Sequence, residues 1–363
     1  MLNNLKILDF TTLLPGPFGT LLLADLGADI VHISRPNKPA IPLDAYLQRN
    51  KKSIVADLKD AHTVEKLKNL VKEYDIVIEQ FRPGVMDRLG LGYEALKEIN
   101  PSIIYCSITG YGQTGPYKNR AGHDINYVAL AGIPSHSGSQ TGGPPNLGVQ
   151  IADIAGGSLH AAIAILAAVN HRHITGEGQH IDISMTDCAF TLNAVAATTY
   201  FDNGTVPKPE SFALNGGSFY GYYETADGRY LSVGSLEPAF RKNLCDAIGK
   251  PELLSLSFSE KEEDILAFKE ALADEILLKT LDEWLQIFDQ VDACVEPVLS
   301  LDEVEKHPHF VARGLIVEVE NEAGELQKQI ACPIKSTCFT PQYQSTGVPV
   351  GKDTKDILNQ LTI

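Results

Sequence analysis

The sequence predicts an α/β protein with a large domain on a doubly wound parallel sheet and a smaller α+β domain after it. Three observations carry this. Short apolar runs alternate with amphipathic stretches through roughly the first third of the chain, the pattern of successive βαβ units. The 363 residues suffice for about two domains. A Gly/Pro-rich connection at 202–217 separates two differently patterned parts.

Taken in order, Leu5–Phe10 reads as a strand, Phe18–Leu26 as a helix and Asp29–Ile33 as a strand. Ala61–Glu73 follows as a helix, then Ile76–Glu79 and Ile103–Ile108 as strands. Ligands of such sheets sit outside the carboxyl ends of the strands. That directs attention to the loops Thr11–Pro17, Ser34–Lys38, Gln80–Gly84 and Thr109–Gly115. A long Gly/Ser/Pro-rich loop, Gly132–Gly148, precedes an apolar helix from Ile154 to Asn170, a strand His180–Ser184 and a helix Asp187–Phe201. The large Rossmann-like domain is thus expected over 1–200 and a linker over 201–217. The small domain is expected over 218–330, with a hairpin at Phe219–Val233 around Asp227-Gly228 and a mostly helical stretch Glu237–Asp289. Residues 331–363 are expected to return to the large domain.

With 44% hydrophobic and 21% charged residues, the chain is neither disordered nor of low complexity. A net charge of −16 argues against nucleic acid, whose phosphates demand a basic face. Any anionic ligand must therefore meet a local basic cluster. Met1-Leu2-Asn3-Asn4 runs straight into a strand with no signal-peptide pattern, and Ala161–Val169 is shorter than the roughly 20 apolar residues of a membrane span. The expectation is a cytoplasmic protein with no membrane partner. The six cysteines form no CxxC pair and have no His partners at ligand spacing, so free thiols and no metal site are expected.

Arg49-Asn50-Lys51-Lys52 is a dense basic run, and Arg35, Lys38, Lys59, Arg82 and Arg88 lie near strand ends. Gathered in one crevice they would neutralise phosphates; otherwise they are solvated surface charges. Gly84, Gly110 and Gly112 permit close backbone approach to a ligand. The segment 121–127 sets Gly122, His123, Asp124, Ile125, Asn126 and Tyr127 side by side. Asp153 opens the apolar helix, either as an N-cap or at a helix N-terminus where Gly156 and Gly157 offer N–H groups to a developing oxyanion. His171 and His173 read as favourable charge at a helix end.

Several ordered motifs, LKILDFTTLLPGPFGTLLLADLGADIVHI at the start, RNKKSIVADLK at 49–59, FRPGVMDRLGLG at 81–92, IYCSITGYGQTGP at 104–116, AGHDINY at 121–127, DIAGGS at 153–158, TGEGQHID at 175–182 and SLEPAF at 235–240, resemble the class III CoA-transferase (CaiB/BaiF) family. Within it they are similar to the α-methylacyl-CoA racemase branch. The resemblance covers nearly the whole chain.

It implies a racemase of 2-methyl branched acyl-CoA thioesters, working without cofactor by 1,1-proton transfer through an enolate. Such chemistry needs two acid/base groups on opposite sides of one carbon, and His123 and Asp153 match the family's pair. Glu237 matches the carboxylate that orients His123, and Asp124 one beside Asp153. CoA would be held by positions matching Arg35, Ala56, Asp57, Leu58, Lys59, Arg82, Gly84 and Arg88, with Gly122, Ile125, Asn126 and Tyr127 at the thioester end. The resemblance also implies an interlocked homodimer in which Glu237 comes from the other subunit. Two alternatives stand beside this reading: a CoA-transferase with Asp153 as nucleophile, and a CoA-binding homologue without catalysis. The GHD triplet at 122–124 and the Glu237-Pro238 pair favour the racemase, because the transferase needs no His at position 123.

Overall fold

Strands whose two faces are both apolar bury themselves in the middle of a sheet, and Ile7 with Leu8, Ile76 with Val77, and Ile104 with Tyr105 are buried in adjacent pairs. A computed structural model describes residues 1–358. In it β1 (Lys6–Asp9), α1 (Pro15–Asp25), β2 (Asp29–Ser34), α2 (Asp44–Leu47), β3 (Lys52–Val55), α3 (Ala61–Val71) and β4 (Ile76–Glu79) follow one another. The chain continues through α4 (Val85–Arg88), α5 (Tyr93–Ile99), β5 (Ile104–Thr109) and α6 (Asp124–Leu130). A π-helical turn, Ala152–Leu159, runs directly into α7 (His160–Thr175), then β6 (Gln179–Ser184) and α8 (Met185–Thr191). The six strands pair in the order β3-β2-β1-β4-β5-β6, all parallel. This is the doubly wound order that reverses between β1 and β4 and opens a crevice there.

The sequence reading missed β3 because its start lies in the basic run. β3 pairs with β2, Lys52 opposite Val31 and Ile54 opposite Ile33, and Ile54 is fully buried. The helix expected at Asp187–Phe201 is two helices, α8 and α9 (Ala194–Asn203), parted at Leu192-Asn193. There Asn193 Nδ2 donates to the Ala131 carbonyl at 2.9 Å. The apolar helix is longer than its sequence suggested. Ala152–Thr175 forms 24 continuous residues and is long and apolar enough, by length and composition, to cross a membrane. Here it is the crossover between β5 and β6, with Ala161, Ile165, Ala168 and Val169 buried.

Two compact units emerge, with boundaries other than those expected. The first comprises 1–131, 147–193 and the chain from Pro308 onward; the second comprises 132–146 and 194–307. The long Gly-rich loop falls in the second unit because Asn215 Nδ2 donates to the His136 carbonyl and the Gln140 N–H to Glu210. In the second unit β7 (Gly221–Glu224), β8 (Tyr230–Val233) and β9 (Val295–Pro297) form an antiparallel sheet. It packs with α10 (Pro238–Ala247), α11 (Glu262–Ile276) and α12 (Leu281–Phe288) around Trp284, Phe268 and Leu231.

The short helices α13 (Leu301–Val304) and α14 (Pro308–Ala312) precede a hairpin of β10 (Ile316–Glu320) and β11 (Leu326–Ile330), which the sequence assigned to the small domain. It belongs to the first unit because Arg49 Nη1 donates to Gln329 Oε1 and to the Ile330 carbonyl. The tail then lies along β3, where the Ser53 N–H donates to Asp353 and the Val55 N–H to Thr354 Oγ1, at the start of α15 (Thr354–Leu358).

Candidate active site

At the switch point the Gly16 N–H donates to Gln80 Oε1 at 3.1 Å, joining the first turn of α1 to the loop after β4. Beside it, at the carboxyl ends of β4 and β5, lies a cleft of about 290 Å³ lined by Gln80, Arg82, Tyr111, Lys118, Arg120 and His123 among others. Its floor depends on Tyr127. The Tyr127 hydroxyl donates to the Gly122 carbonyl at 2.6 Å, and its ring lies where a Cβ on Gly110 or Gly122 would stand 2.5 or 2.6 Å away. Gly110 therefore makes room for an aromatic ring of the protein, and it also lines the cleft.

His123 is the N-cap residue of α6 in extended conformation, with its backbone N–H held by Asn126 Oδ1 at 3.0 Å. This leaves its side chain exposed and lining the cleft. Ile125, also exposed, follows on the first turn. Asp124 turns the other way, and its Oδ1 accepts the Asp153 N–H at 2.9 Å. Asp153 is half-buried inside the π-helical turn and does not cap it. The N-cap expectation is thus replaced, since the first turn begins before Asp153 and the Ile154 N–H already has the Gln150 carbonyl.

Gly156 and Gly157 serve packing. A Cβ on Gly156 would meet the Met185 carbonyl at 2.9 Å, and one on Gly157 would meet Pro15 and Met185 at 3.1 Å. They seat the turn between α1 and α8, and π-helical turns of this kind are frequent at functional sites.

Electrostatics single out Asp153. Burial pushes its carboxyl up to about 6, the Asp124 carboxylate adds to the rise, and His123 opposes it. Burial likewise lifts the Tyr127 phenol to about 12, with Asp153 and Asp124 contributing. His123, Asp124, Asp153 and Tyr127 thus act on one another electrostatically. A carboxyl balanced near neutrality beside an imidazole can hold a proton or take one. At the end of β4, burial raises Glu79 to about 7 while its Oε2 accepts the Phe81 N–H at 2.7 Å.

The candidate CoA residues follow the carboxyl ends of β2, β3 and β4, and of those eight Arg82 lines the cleft. Arg35 follows β2, Asp57 and Lys59 follow β3, and Arg82 and Arg88 follow β4, all exposed; Ala56 is buried and Leu58 packs on the core. Gly84 adopts φ +77° just before α4, a conformation that favours glycine. Glu237 is carried by the second unit, exposed at the N-terminus of α10.

The basic run does not line the cleft. Arg49 is buried, its Nε and Nη2 bonded to Asp25 at 3.1 and 2.6 Å, and its guanidinium lies against the Tyr46 and Tyr343 rings. Lys51 is buried too, donating to Thr20 Oγ1, the Pro17 carbonyl and Asp9. Lys38 pairs with Asp44 and Lys52 with Asp29.

The cations that line the cleft besides Arg82 are Lys118 and Arg120, which the sequence reading missed. Arg120 lies 3.7 Å over the Tyr117 ring, and Tyr117 meets Tyr111 edge-on. The signal was present in Lys118-Asn119-Arg120 just before Gly122-His123, but the denser run at 49–52 masked it. Among the described residues no group of His, Cys, Asp and Glu is placed to hold a metal ion.

The sequence matches the family model for CoA-transferase family III over residues 2–354. It is 36% identical to the human alpha-methylacyl-CoA racemase over 99% of this chain and 93% of that one. It is 33% identical to the human succinyl-CoA:glutarate CoA-transferase over 88% of this chain and 76% of that one. The crystal structure of a CAIB/BAIF family protein from Brucella suis superposes with a TM-score of 0.84 at 29% identity, covering 99% of both chains.

Proposed function

The chain belongs to CoA-transferase family III, and from that premise we propose that it epimerises 2-methyl branched acyl-CoA thioesters without a cofactor. The observation that carries this reading is the Asp153 carboxyl, raised to about 6 by burial and Asp124 with His123 opposing the rise. One of the two groups removes the α-proton and leaves the thioester enolate; the other returns a proton to the opposite face. Neutral His123 with protonated Asp153 serves one epimer, and the reverse protonation serves the other. Each positioned group contributes about 10²–10⁴ in rate. Arg82, Lys118 and Arg120 supply the local positive charge that a CoA phosphate requires in a chain of net charge −16.

The second reading makes Asp153 the nucleophile of a CoA-transferase, and the likeness to the succinyl-CoA:glutarate CoA-transferase favours it. His123 on the cleft wall weighs the other way, since the transferase needs no base at that position. Homodimerisation is supported by Leu159, Ile163, Leu166 and Ile174, exposed apolar residues that recur at helical spacing along one stretch. Sedimentation of the full chain at the dimer mass is the expected result. Chiral chromatography of a single epimer incubated without any acceptor acid tests the reaction. The opposite epimer should accumulate; formation of a new thioester only when a free carboxylic acid is added would assign the transferase.

A further inference from the structure

The His123 imidazole is exposed, so burial does not fix it, and its place on the cleft wall is set by its backbone. The Gly122 carbonyl, the His123 N–H and the His123 carbonyl flank its Cα, and each is bonded to Asn126 or Tyr127. The Gly122 carbonyl accepts the Tyr127 hydroxyl at 2.6 Å, and the His123 N–H donates to Asn126 Oδ1 at 3.0 Å. The His123 carbonyl accepts the Asn126 N–H at 2.8 Å and the Tyr127 N–H at 3.3 Å. The two side chains thus grip opposite edges of one peptide group, Gly122–His123, whose plane is rigid. Holding that plane and the carbonyl beyond it leaves His123 little freedom in φ or ψ, and so aims its Cα–Cβ bond.

The Tyr127 end of this grip is anchored in the sheet. Tyr127 is buried, and its ring meets Tyr111 edge-on with centroids 5.2 Å apart. It lies against Gly110, just beyond β5, where a Cβ would stand 2.7 Å from the hydroxyl oxygen. The Gly110 carbonyl in turn accepts the Thr186 N–H at 3.0 Å and Thr186 Oγ1 at 2.7 Å, both from α8. A phenol carries a single O–H. Here it is spent on the Gly122 carbonyl, which leaves Tyr127 no proton to donate to a ligand at the thioester end.

We propose that Tyr127 is a positioning residue for His123: through the Gly122 carbonyl, and together with Asn126, it holds the imidazole within reach of the α-carbon. This role rests on the epimerase reading, in which His123 takes the proton of one epimer and Asp153 that of the other. Loss of the hydroxyl therefore harms proton removal from one epimer more than from the other, because Asp153 is held separately by its helical turn and by Asp124. A group misplaced by about 1 Å can lose about 10²-fold in rate.

The test follows exchange of the α-proton into D₂O from each pure epimer by proton NMR, at several thioester concentrations, for the parent, Tyr127→Phe and Asn126→Ala. Asn126 is exposed, so its variant keeps the test open should Tyr127→Phe not fold. The epimer that presents its proton to His123, identified as the one slowed by His123→Ala, should lose about 10- to 10²-fold in kcat in both variants. The other epimer should lose less, and KM should stay unchanged. The pH profile should not move, because neither variant removes a group that titrates near neutrality. Undiminished exchange in both variants would overturn the proposal, as would equal losses from both epimers with a matching fall in Tm, which leave Tyr127 a structural role only. A raised KM at unchanged kcat would assign the hydroxyl to the ligand, and a displaced pH profile would assign it to Asp153; either overturns the proposal. A parent enzyme that exchanges neither epimer would overturn the epimerase reading itself, and the two failures are told apart by the parent alone.

Discussion

Asp124 Oδ1 accepts the backbone N–H of Asp153 at 2.9 Å, tying the first turn of α6 to the start of the long helix and setting two carboxyl groups in mutual influence. That one bond gives Asp124 two effects on the candidate base. It orients the backbone that carries Asp153, and its charge raises the Asp153 carboxyl beyond what burial does.

The charge effect is separable from the bond. Asp124→Asn keeps an oxygen acceptor for the Asp153 N–H but removes the neighbouring negative charge, so Asp153 should titrate below its present value of about 6. The pH profile of kcat/KM for epimerisation should move to lower pH. A profile that stays in place would show that Asp124 acts through orientation alone.

His123→Ala should divide the two epimers. The epimer that presents its α-proton to Asp153 should still exchange that proton with solvent, whereas the other should lose about 10²–10⁴ in exchange rate. CoA affinity should change little, because His123 contributes a side chain to the reacting centre and its backbone bond to Asn126 is retained. Equal, undiminished exchange from both epimers would remove His123 from the mechanism.

Two basic residues with opposite fates give a contrast. Arg49→Met strands Asp25 in the core without its partner, which should cost about 3–5 kcal/mol of stability and leave KM of the remaining folded enzyme unchanged. Arg82→Ala, on the exposed cleft rim, should raise KM for the acyl-CoA with little loss of Tm. Denaturant melts paired with steady-state kinetics check both, and an increase in KM for Arg49→Met would restore that residue to the binding site.

These contrasts mark how far the sequence was legible. The parallel sheet could be read because Leu5–Phe10, Asp29–Ile33, Ile76–Glu79 and Ile103–Ile108 advertise apolar strands, and all four are strands within a residue or two at either end. β3 was hidden because Arg49 and Lys51 look like surface residues until the partners Asp25 and Asp9, distant in sequence, are brought against them. His123, Asp124 and Tyr127 stood out as neighbours in one motif. Their relation to Asp153 depends on a bond spanning 29 residues, and the helical turn around Asp153 begins earlier than its apolar pattern does, so its geometry was not readable locally. The burial of His32 and Ser34 in β2 was invisible for the same reason.

Stability should carry the signature of the two raised carboxyls. Asp153 and Glu79 titrate near 6 and 7 in the folded chain against ordinary values of 3.8 and 4.5. The folded state therefore holds protons that the unfolded state releases, and these two groups make stability fall as pH rises from about 4 through 7. Asp153→Asn and Glu79→Gln should each raise Tm at neutral pH and converge on the parent at acid pH. Denaturant midpoints across that interval check this, and a parallel offset at every pH would contradict it.

The proposed epimerisation passes the α-proton between His123 and Asp153 without a cofactor. Proton NMR of one pure epimer of a 2-methylacyl-CoA, incubated with the enzyme in D₂O without any acceptor acid, tests it most directly. The α-proton signal should disappear as the opposite epimer rises. Retention of that signal, with CoA moving only once a free carboxylic acid is added, would exclude the epimerase and make Asp153 a nucleophile.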